Sequence, residues 1–352
     1  MRWPPQYCCS MLWAWRASGT IGTVVFGVAV AGCSRDSTAV RVTIPSGATM
    51  RTAADSLAHA DALEFPRLFS AYAKARSSDR GIKAGTYLIP KNASWNAILS
   101  SLRGGGAVSA VLVPEGFTVT QIEALIAAKL AASPDSVAAA VRDTALIRRL
   151  DVPTSTLEGY LFPDTYFFPP GTSARSAVTT MVRRFEQQWR DDWRGRLDTL
   201  ALTRHAVVTL ASIVEREAKL AGERPVIAAV YLNRLRRGML LQADPTVQYA
   251  LPQYQKRLRN KHLRVDSPYN TYLHKGLPPG PIGVPGLASL LAALHPADVP
   301  YLYFVAYPDG HHEFRVKLEQ HLAAARAARR AWDALKTKQT QPAKAPATKR
   351  GG

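Results

Sequence analysis

Two glutamates, Glu215 and Glu217, close the stretch Ala211-Ser212-Ile213-Val214-Glu215-Arg216-Glu217-Ala218. Val207, Leu210, Val214 and Ala218 recur at spacings of three and four, which predicts a helix with one buried stripe. Glu215 sits beside that stripe. Ala211 and Ser212 lie one turn earlier on its face, so little bulk covers its carboxylate. Glu217 is about 200° further round at about 100° per residue, so the two acids cannot share a face. This places Glu215 inward, at the rim of the core, and Glu217 outward in solvent. A half-buried glutamate has its charged form disfavoured, which suits a general acid. The plainer reading is a solvated Glu215 paired with Lys219 at i+4.

The residues around this helix carry further polar chemistry. A second amphipathic helix is expected over 224–237, with Asn233 on its polar side and Gly238 as its stop signal. Gln242, Asp244 and Thr246 follow within five residues, beside Pro245. Such groups suit sugar hydroxyls and acetamides, while Asp244 equally suits capping a helix that starts at Pro245. A basic stretch over 256–264 leads into Tyr269-Asn270-Thr271-Tyr272 and then a Pro/Gly-rich run over 276–286. That run is neither helix nor central strand, and the polar-aromatic segment before it favours an ordered loop at a site. Upstream, 157–167 is dense in aromatic residues, with Glu158 and Asp164 among them. It suits a sugar-binding wall or a core strand with turn residues.

The elements that must position these groups fall into two parts. Residues 42–49 (VTIPSGAT) and 111–118 (VLVPEGFT) repeat one pattern: a β-rich triplet, a Pro-x-Gly turn, then a helix whose first turn follows a Thr. Between them, helices over 51–60 and 65–75, a strand over 84–89 and a helix over 95–102 make a strand–helix–helix–strand module. Gly104-Gly105-Gly106 forms a natural boundary. From Ser133 the chain is mostly helical, a hairpin is expected around Asp309-Gly310, and a final helix covers 321–335. The fold class is α+β: a small module over 42–108 and a larger, mostly helical domain over 109–335.

Composition bounds the rest. With 352 residues, the chain is long enough for two or three domains, and 47% apolar and 20% charged residues are ordinary for a globular protein. The net charge of +19 points to anionic polymers or membrane surfaces. Part of it lies in 336–352, which holds five Lys/Arg and no acid and reads as a disordered tail. No basic array with aromatic spacing appears, so a nucleic-acid partner is not expected. Arg2 and Arg16 precede an uncharged apolar run over 17–32, an export signal. It ends Val30-Ala31-Gly32-Cys33-Ser34, which resembles a bacterial lipobox with Cys33 as the lipidated residue; an uncleaved transmembrane anchor over 1–33 is the alternative. Either places the body outside the cytoplasm, tied to a membrane through a short linker over 34–41. All three cysteines (Cys8, Cys9, Cys33) lie in this leader, so the body has neither disulfides nor a cysteine nucleophile. The eight histidines show no ligand spacing, so neither metal nor cofactor is expected.

Taken together, the motifs resemble the YceG family, the endolytic murein transglycosylases known as MltG. The matching segments are LEGYLFPDTY (157–166), ASIVEREA (211–218), NRL (233–235), LQADPTVQYAL (241–251), YNTY (269–272), GLPPGPI (276–282) and HPADVPYLYFVA (295–306), in family order. The resemblance implies a LysM-like module followed by a catalytic domain, anchored at the inner membrane and facing the periplasm. It implies cleavage within nascent peptidoglycan strands, and synthases of the same strands as partners. It puts the catalytic glutamate on Glu215 and makes Asn233, Gln242, Asp244, Thr246, Tyr269, Asn270 and Tyr272 candidates for substrate contact. Two features depart from the family: the lipobox-like ending at Cys33, where a plain transmembrane helix is usual, and Val284, where many members have a polar residue. A lytic transglycosylase needs one carboxyl, because the C6 hydroxyl of the muramic acid is the nucleophile. A muramidase would need a second, for which Asp164 or Asp244 are candidates. A non-catalytic wall-binding scaffold is the third possibility.

Overall fold

The computed structural model describes residues 39–340; the export segment, Cys33 and the end of the tail lie outside the described residues. The small module is built on β1 (Ala39–Ile44), which starts inside the stretch expected as linker, paired antiparallel with β2 (Gly85–Pro90) so that Val42 faces Tyr87. Between the strands run α1 (Met50–His59) and α2 (Pro66–Ala75), and α3 (Trp95–Gly104) follows. Thr49 and Ser94 cap α1 and α3 by accepting a backbone N–H three residues on, and Gly105 closes α3 in the left-handed region. Val42, Ile44, Leu57, Phe69, Tyr87 and Ile98 form a core of their own.

The larger part begins with β3 (Ser109–Leu112), then α4 (Val119–Leu130), α5 (Pro134–Val141) and α6 (Thr144–Arg149). Next come β4 (Thr165–Phe168), α7 (Ala174–Gln188), α8 (Arg194–Leu200), α9 (Arg204–Glu217), α10 (Arg224–Arg236) and α11 (Asp244–Ala250). After the Pro/Gly-rich loop come α12 (Leu287–Leu294), β5 (Tyr303–Ala306), β6 (His312–Arg315) and α13 (Leu318–Thr340). β3 pairs with β4 and β5 with β6, each antiparallel. The architecture is mixed, with helices dominating and small two-stranded sheets between them. The second copy of the repeat behaves as the first: Thr118 caps α4 in a reciprocal capping box with Gln121.

Several expectations change. Residues 157–162 are buried turns rather than a wall of sugar-facing rings, with the Tyr160 ring against Phe185; only 165–168 is strand. Asp164 is bound to Arg184 at 2.7 Å and accepts from the Thr165 N–H, so it braces β4. α13 continues to Thr340, beyond the start of the expected tail, with Lys336 within 3.9 Å of Asp333. The largest change is in α9. Every residue from Val207 to Val214 is buried, not one stripe, because α10, α11 and α12 pack around it.

Two neighbouring residues show how tightly the region before the site is set. Glu158 is buried; its carboxyl accepts from the Val119 N–H at the start of α4 at 3.0 Å and from the Tyr249 hydroxyl at 3.1 Å. Burial outweighs these bonds and raises its pKa to about 7. A group raised in the folded state holds its proton while the unfolded chain ionises, so stability falls as pH rises from about 4.5 to about 7 and is level above. Glu158→Gln cannot ionise. Its stability relative to the parent should therefore rise by about 3 kcal/mol between pH 4.5 and pH 8 in denaturant titrations; a pH-independent difference would refute the buried neutral acid. Gly159 beside it has φ +83°, and a Cβ there would meet Pro281 carbons at 2.5 Å. Gly159→Ala should cost on the order of 3 kcal/mol in the same titration.

Candidate active site

The last turn of α9 sends three polar side chains in three directions. Glu215 turns inward as expected, with its side chain only 6% exposed. Its Oε1 is paired with Arg224 Nη2 at 3.3 Å and its Oε2 accepts from the Gly286 N–H at 3.0 Å. Lys219 is not its partner; that side chain lies over Trp332. Glu115, from the Pro114-Glu115-Gly116 turn, brings a second carboxyl against Glu215 and directly onto Gly286. Burial first, then the Glu215 charge, raises the pKa of Glu115. Arg216 points elsewhere and donates to Gly116 O and Ile282 O. Arg224 continues to the buried Ser289 hydroxyl. This face is a lattice of bonds holding the 114–117 turn and the 282–286 loop to α9.

Glu217 does not point into open solvent. The face opposite Glu215 is covered by α10, and the Tyr231 hydroxyl donates to Glu217 Oε1 at 2.9 Å. Burial, then the neighbouring Asp244 charge, raises the Glu217 pKa to about 7 against the opposing pull of the Tyr231 bond and Arg234. Its second oxygen makes no hydrogen bond. That oxygen is not sealed off, because the one sealed side-chain polar atom without a partner among the described residues is His321 Nδ1. Glu217 is thus a carboxyl raised to a pKa of about 7, with one oxygen that no hydrogen bond claims.

The other candidates divide into those beside Glu217 and those that hold loops. Asp244 does not cap α11. It stands in the first turn, exposed, and its Oδ1 accepts from the Tyr272 hydroxyl at 2.6 Å. The Tyr272 hydroxyl is held protonated by burial and that carboxylate. Gln242 is exposed two residues before, in the left-handed region at φ +50°. By contrast, Thr246 is fully buried and bonds Ala243 O and the Thr271 hydroxyl. Asn270 is fully buried, donates to Leu263 O and Val265 O, and accepts from the Tyr272 N–H. Asn233 donates to Val299 O and Tyr301 O. Thr246 and Asn270 thus face the interior, and the half-buried Asn233 spends its amide N–H groups on the 299–301 backbone. Tyr269 is half-buried against Tyr249, near Glu158 and away from the Glu217 hydrogen bonds.

Sequence reasoning missed Glu217, Tyr231 and Glu115. One signal was available for Glu217: neither Leu220 nor Ala221, at i+3 and i+4, offers it a cation, unlike Glu215 with Lys219. Arg234 also went unnoticed. It is buried, donates to Leu302 O and Leu241 O, and braces the loop that carries Gln242 and Asp244.

Comparison with known proteins gives the family. Residues 42–327 match the model of the YceG-like family. The chain is 36% identical over 301 residues to a Bacillus subtilis (strain 168) protein named endolytic murein transglycosylase, covering 81% of this chain and 83% of that one. A Streptococcus pneumoniae (strain R6) protein of the same name is 29% identical over 299 residues; this chain spans 54% of its length. The crystal structure of a yceG-like protein, lmo1499 from Listeria monocytogenes, superposes with a TM-score of 0.58 at 33% identity over 81% of this chain and 98% of that one. By extent of match and by identity, the chain belongs to the YceG-like family.

Proposed function

We propose that the chain is an endolytic murein transglycosylase. It would cut the MurNAc–GlcNAc bond inside nascent peptidoglycan strands and leave 1,6-anhydro-MurNAc ends. The observation that carries this reading is Glu217, a carboxyl with one oxygen held by Tyr231 and the other unclaimed, raised to a pKa of about 7, in a chain whose relatives bear that name. Glu217 protonates the leaving glycosidic oxygen. The C6 hydroxyl of the same muramic residue attacks the anomeric carbon, and the Glu217 carboxylate takes its proton as the ring closes. Asp244, fixed by Tyr272, keeps the Glu217 proton in place between turnovers, and Gln242 is the remaining exposed polar contact.

The family resemblance assigns the acid to Glu215. Both of its oxygens already accept a hydrogen bond, one from a guanidinium at 3.3 Å and one from a backbone N–H at 3.0 Å, whereas Glu217 has an oxygen that none claims, and on that difference we place the acid on Glu217. A muramidase reading needs a second carboxylate placed for water. Asp164 has both oxygens engaged, by the Thr165 N–H and Arg184, whereas Asp244 gives only Oδ1 to Tyr272, so Asp244 is the carboxylate a hydrolase would use and the product ends decide between the two reactions.

The strand–helix–helix–strand order of 39–107 supports a LysM-like module that holds glycan. The apolar N-terminal run supports a body held at the inner membrane and facing the periplasm, with Cys33 lipidation as the alternative anchor. Residues 109–335 form the catalytic domain in this proposal, and synthases of the same strands are the partners that its substrate implies.

The full-length chain in detergent, given uncross-linked strands, should yield anhydro ends by mass spectrometry. Glu217→Gln should lower kcat about a thousandfold while the protein stays folded. Glu215→Gln should mainly lower stability; the reverse pattern returns the acid to Glu215. Reducing ends would mean a hydrolase. Because the acid must hold its proton, kcat/KM should fall with rising pH through a midpoint near 7. A flat profile between pH 6 and 8 would exclude Glu217 as the proton donor.

A further inference from the structure

Between Tyr254 and Asp266 lies a loop that the reaction above does not use. Lys256, Arg257, Arg259, Lys261 and Arg264 fall within nine residues with no acid among them, and all five are exposed. None forms an ion pair among the described residues. Residues 255–262 line an open hollow of about 890 Å³.

The loop is fastened at both ends to the site. At one end, Gln248 on α11 exchanges two hydrogen bonds with the Gln255 backbone, one of them at 3.0 Å. At the other, Asn270 donates to Leu263 O at 3.0 Å and Val265 O at 2.8 Å. Gln248 lies one turn after Asp244, and Asn270 stands two residues before Tyr272. The loop is therefore tied to the same two segments that carry Asp244 and Tyr272. A buried amide whose donors and acceptor are all satisfied holds such a loop against the repulsion of its own charges.

We propose that this loop recognises the stem peptides of the glycan strand by their carboxylates. This rests on the murein reading. A stem peptide leaves the lactyl group of the muramic residue whose bond is cut, and it carries several free carboxylates a short distance from the scissile oxygen. Unpaired exposed cations on a loop tied to the Asp244 and Tyr272 segments match that charge and raise the local concentration of peptide-bearing strands. Docking on an anionic bilayer would not require the loop to be tied to the Asp244 and Tyr272 segments.

The test compares the full-length chain on uncross-linked strands carrying stem peptides and on the same strands stripped by an amidase. The parent should show a ratio of kcat/KM, peptide-bearing over stripped, of roughly ten at low salt, shrinking as salt screens the pairs. In K256Q/R257Q/R259Q/K261Q the ratio should fall toward one, and in R257K/R259K, which keeps the charge, it should persist. A ratio near one in the parent, or an unchanged ratio in the neutralised variant, overturns the proposal. Sedimentation with anionic phospholipid vesicles is run in parallel; if neutralisation abolishes vesicle binding and leaves the ratio intact, the loop serves the membrane instead. Binding of the two strand types to the Glu217→Gln protein reads the same preference without turnover. Absence of cleavage on both substrates would thus count against the transglycosylase reading alone.

Discussion

The packing of α9 on every side is the constraint from which the rest of the site follows. Eight consecutive buried residues, Val207 to Val214, require cover from α10, α11 and α12 together. The helix therefore emerges from the core only at its last turn, where Glu215, Arg216 and Glu217 must each find partners in a place with little water. Burying a charge without a partner is costly, so each direction is met by its own set: Arg224 and the Gly286 N–H, the Gly116 and Ile282 carbonyls, and Tyr231. The site is what remains when a core helix ends in charged residues.

The same enclosure explains the Pro/Gly-rich loop. Residues 280–286 are buried throughout although they are neither helix nor strand. A buried irregular segment leaves its backbone N–H groups without partners, and proline removes that problem by having none. Pro278, Pro279, Pro281 and Pro285 cut the number of donors. Three that remain are met individually: Ile282 by the Ser212 hydroxyl, Val284 by Phe117 O, and Gly286 by Glu215. Glu215 is thereby a structural hinge-pin between α9 and this loop, and the small Gly286 leaves room for the Glu115 carboxyl.

What could be read in the sequence was local. The strand–turn–helix repeat, the Asp309-Gly310 hairpin, the Gly238 stop and the ordered nature of the 276–286 loop rest on turn and cap chemistry that neighbours do not override. Which carboxyl faces what was not local. A helical wheel separates Glu215 from Glu217 by about 200° and then assumes that one side is water. That assumption fails when Tyr231 on the next helix covers the second side. The polar residues of the site-like motifs show the same limit. Asn270, Thr246 and Asn233 have the chemistry of sugar contacts, but backbone carbonyls and a neighbouring hydroxyl claimed them first.

Those claimed residues are part of how an acid of this kind is made. A carboxyl is held near neutrality only if its surroundings cannot reorganise to solvate it, so the loops around it must be rigid. Asn270, the Thr246–Thr271 pair and Arg234 supply that rigidity, and they leave Asp244 and Tyr272 as polar groups whose charge or dipole reaches Glu217, with Gln242 exposed two residues before Asp244. A raised pKa does not by itself mark the acid, because Glu158 has the same value. Glu158 has both oxygens occupied by the Val119 N–H and one also by Tyr249, which makes it a buried prop under α4. Glu217 gives one oxygen to Tyr231 and keeps the other free. The unclaimed oxygen of Glu217, and not its raised pKa, is what separates it from Glu158 in the proposed reaction, because a donor must reach its ligand through an oxygen that no protein group already holds.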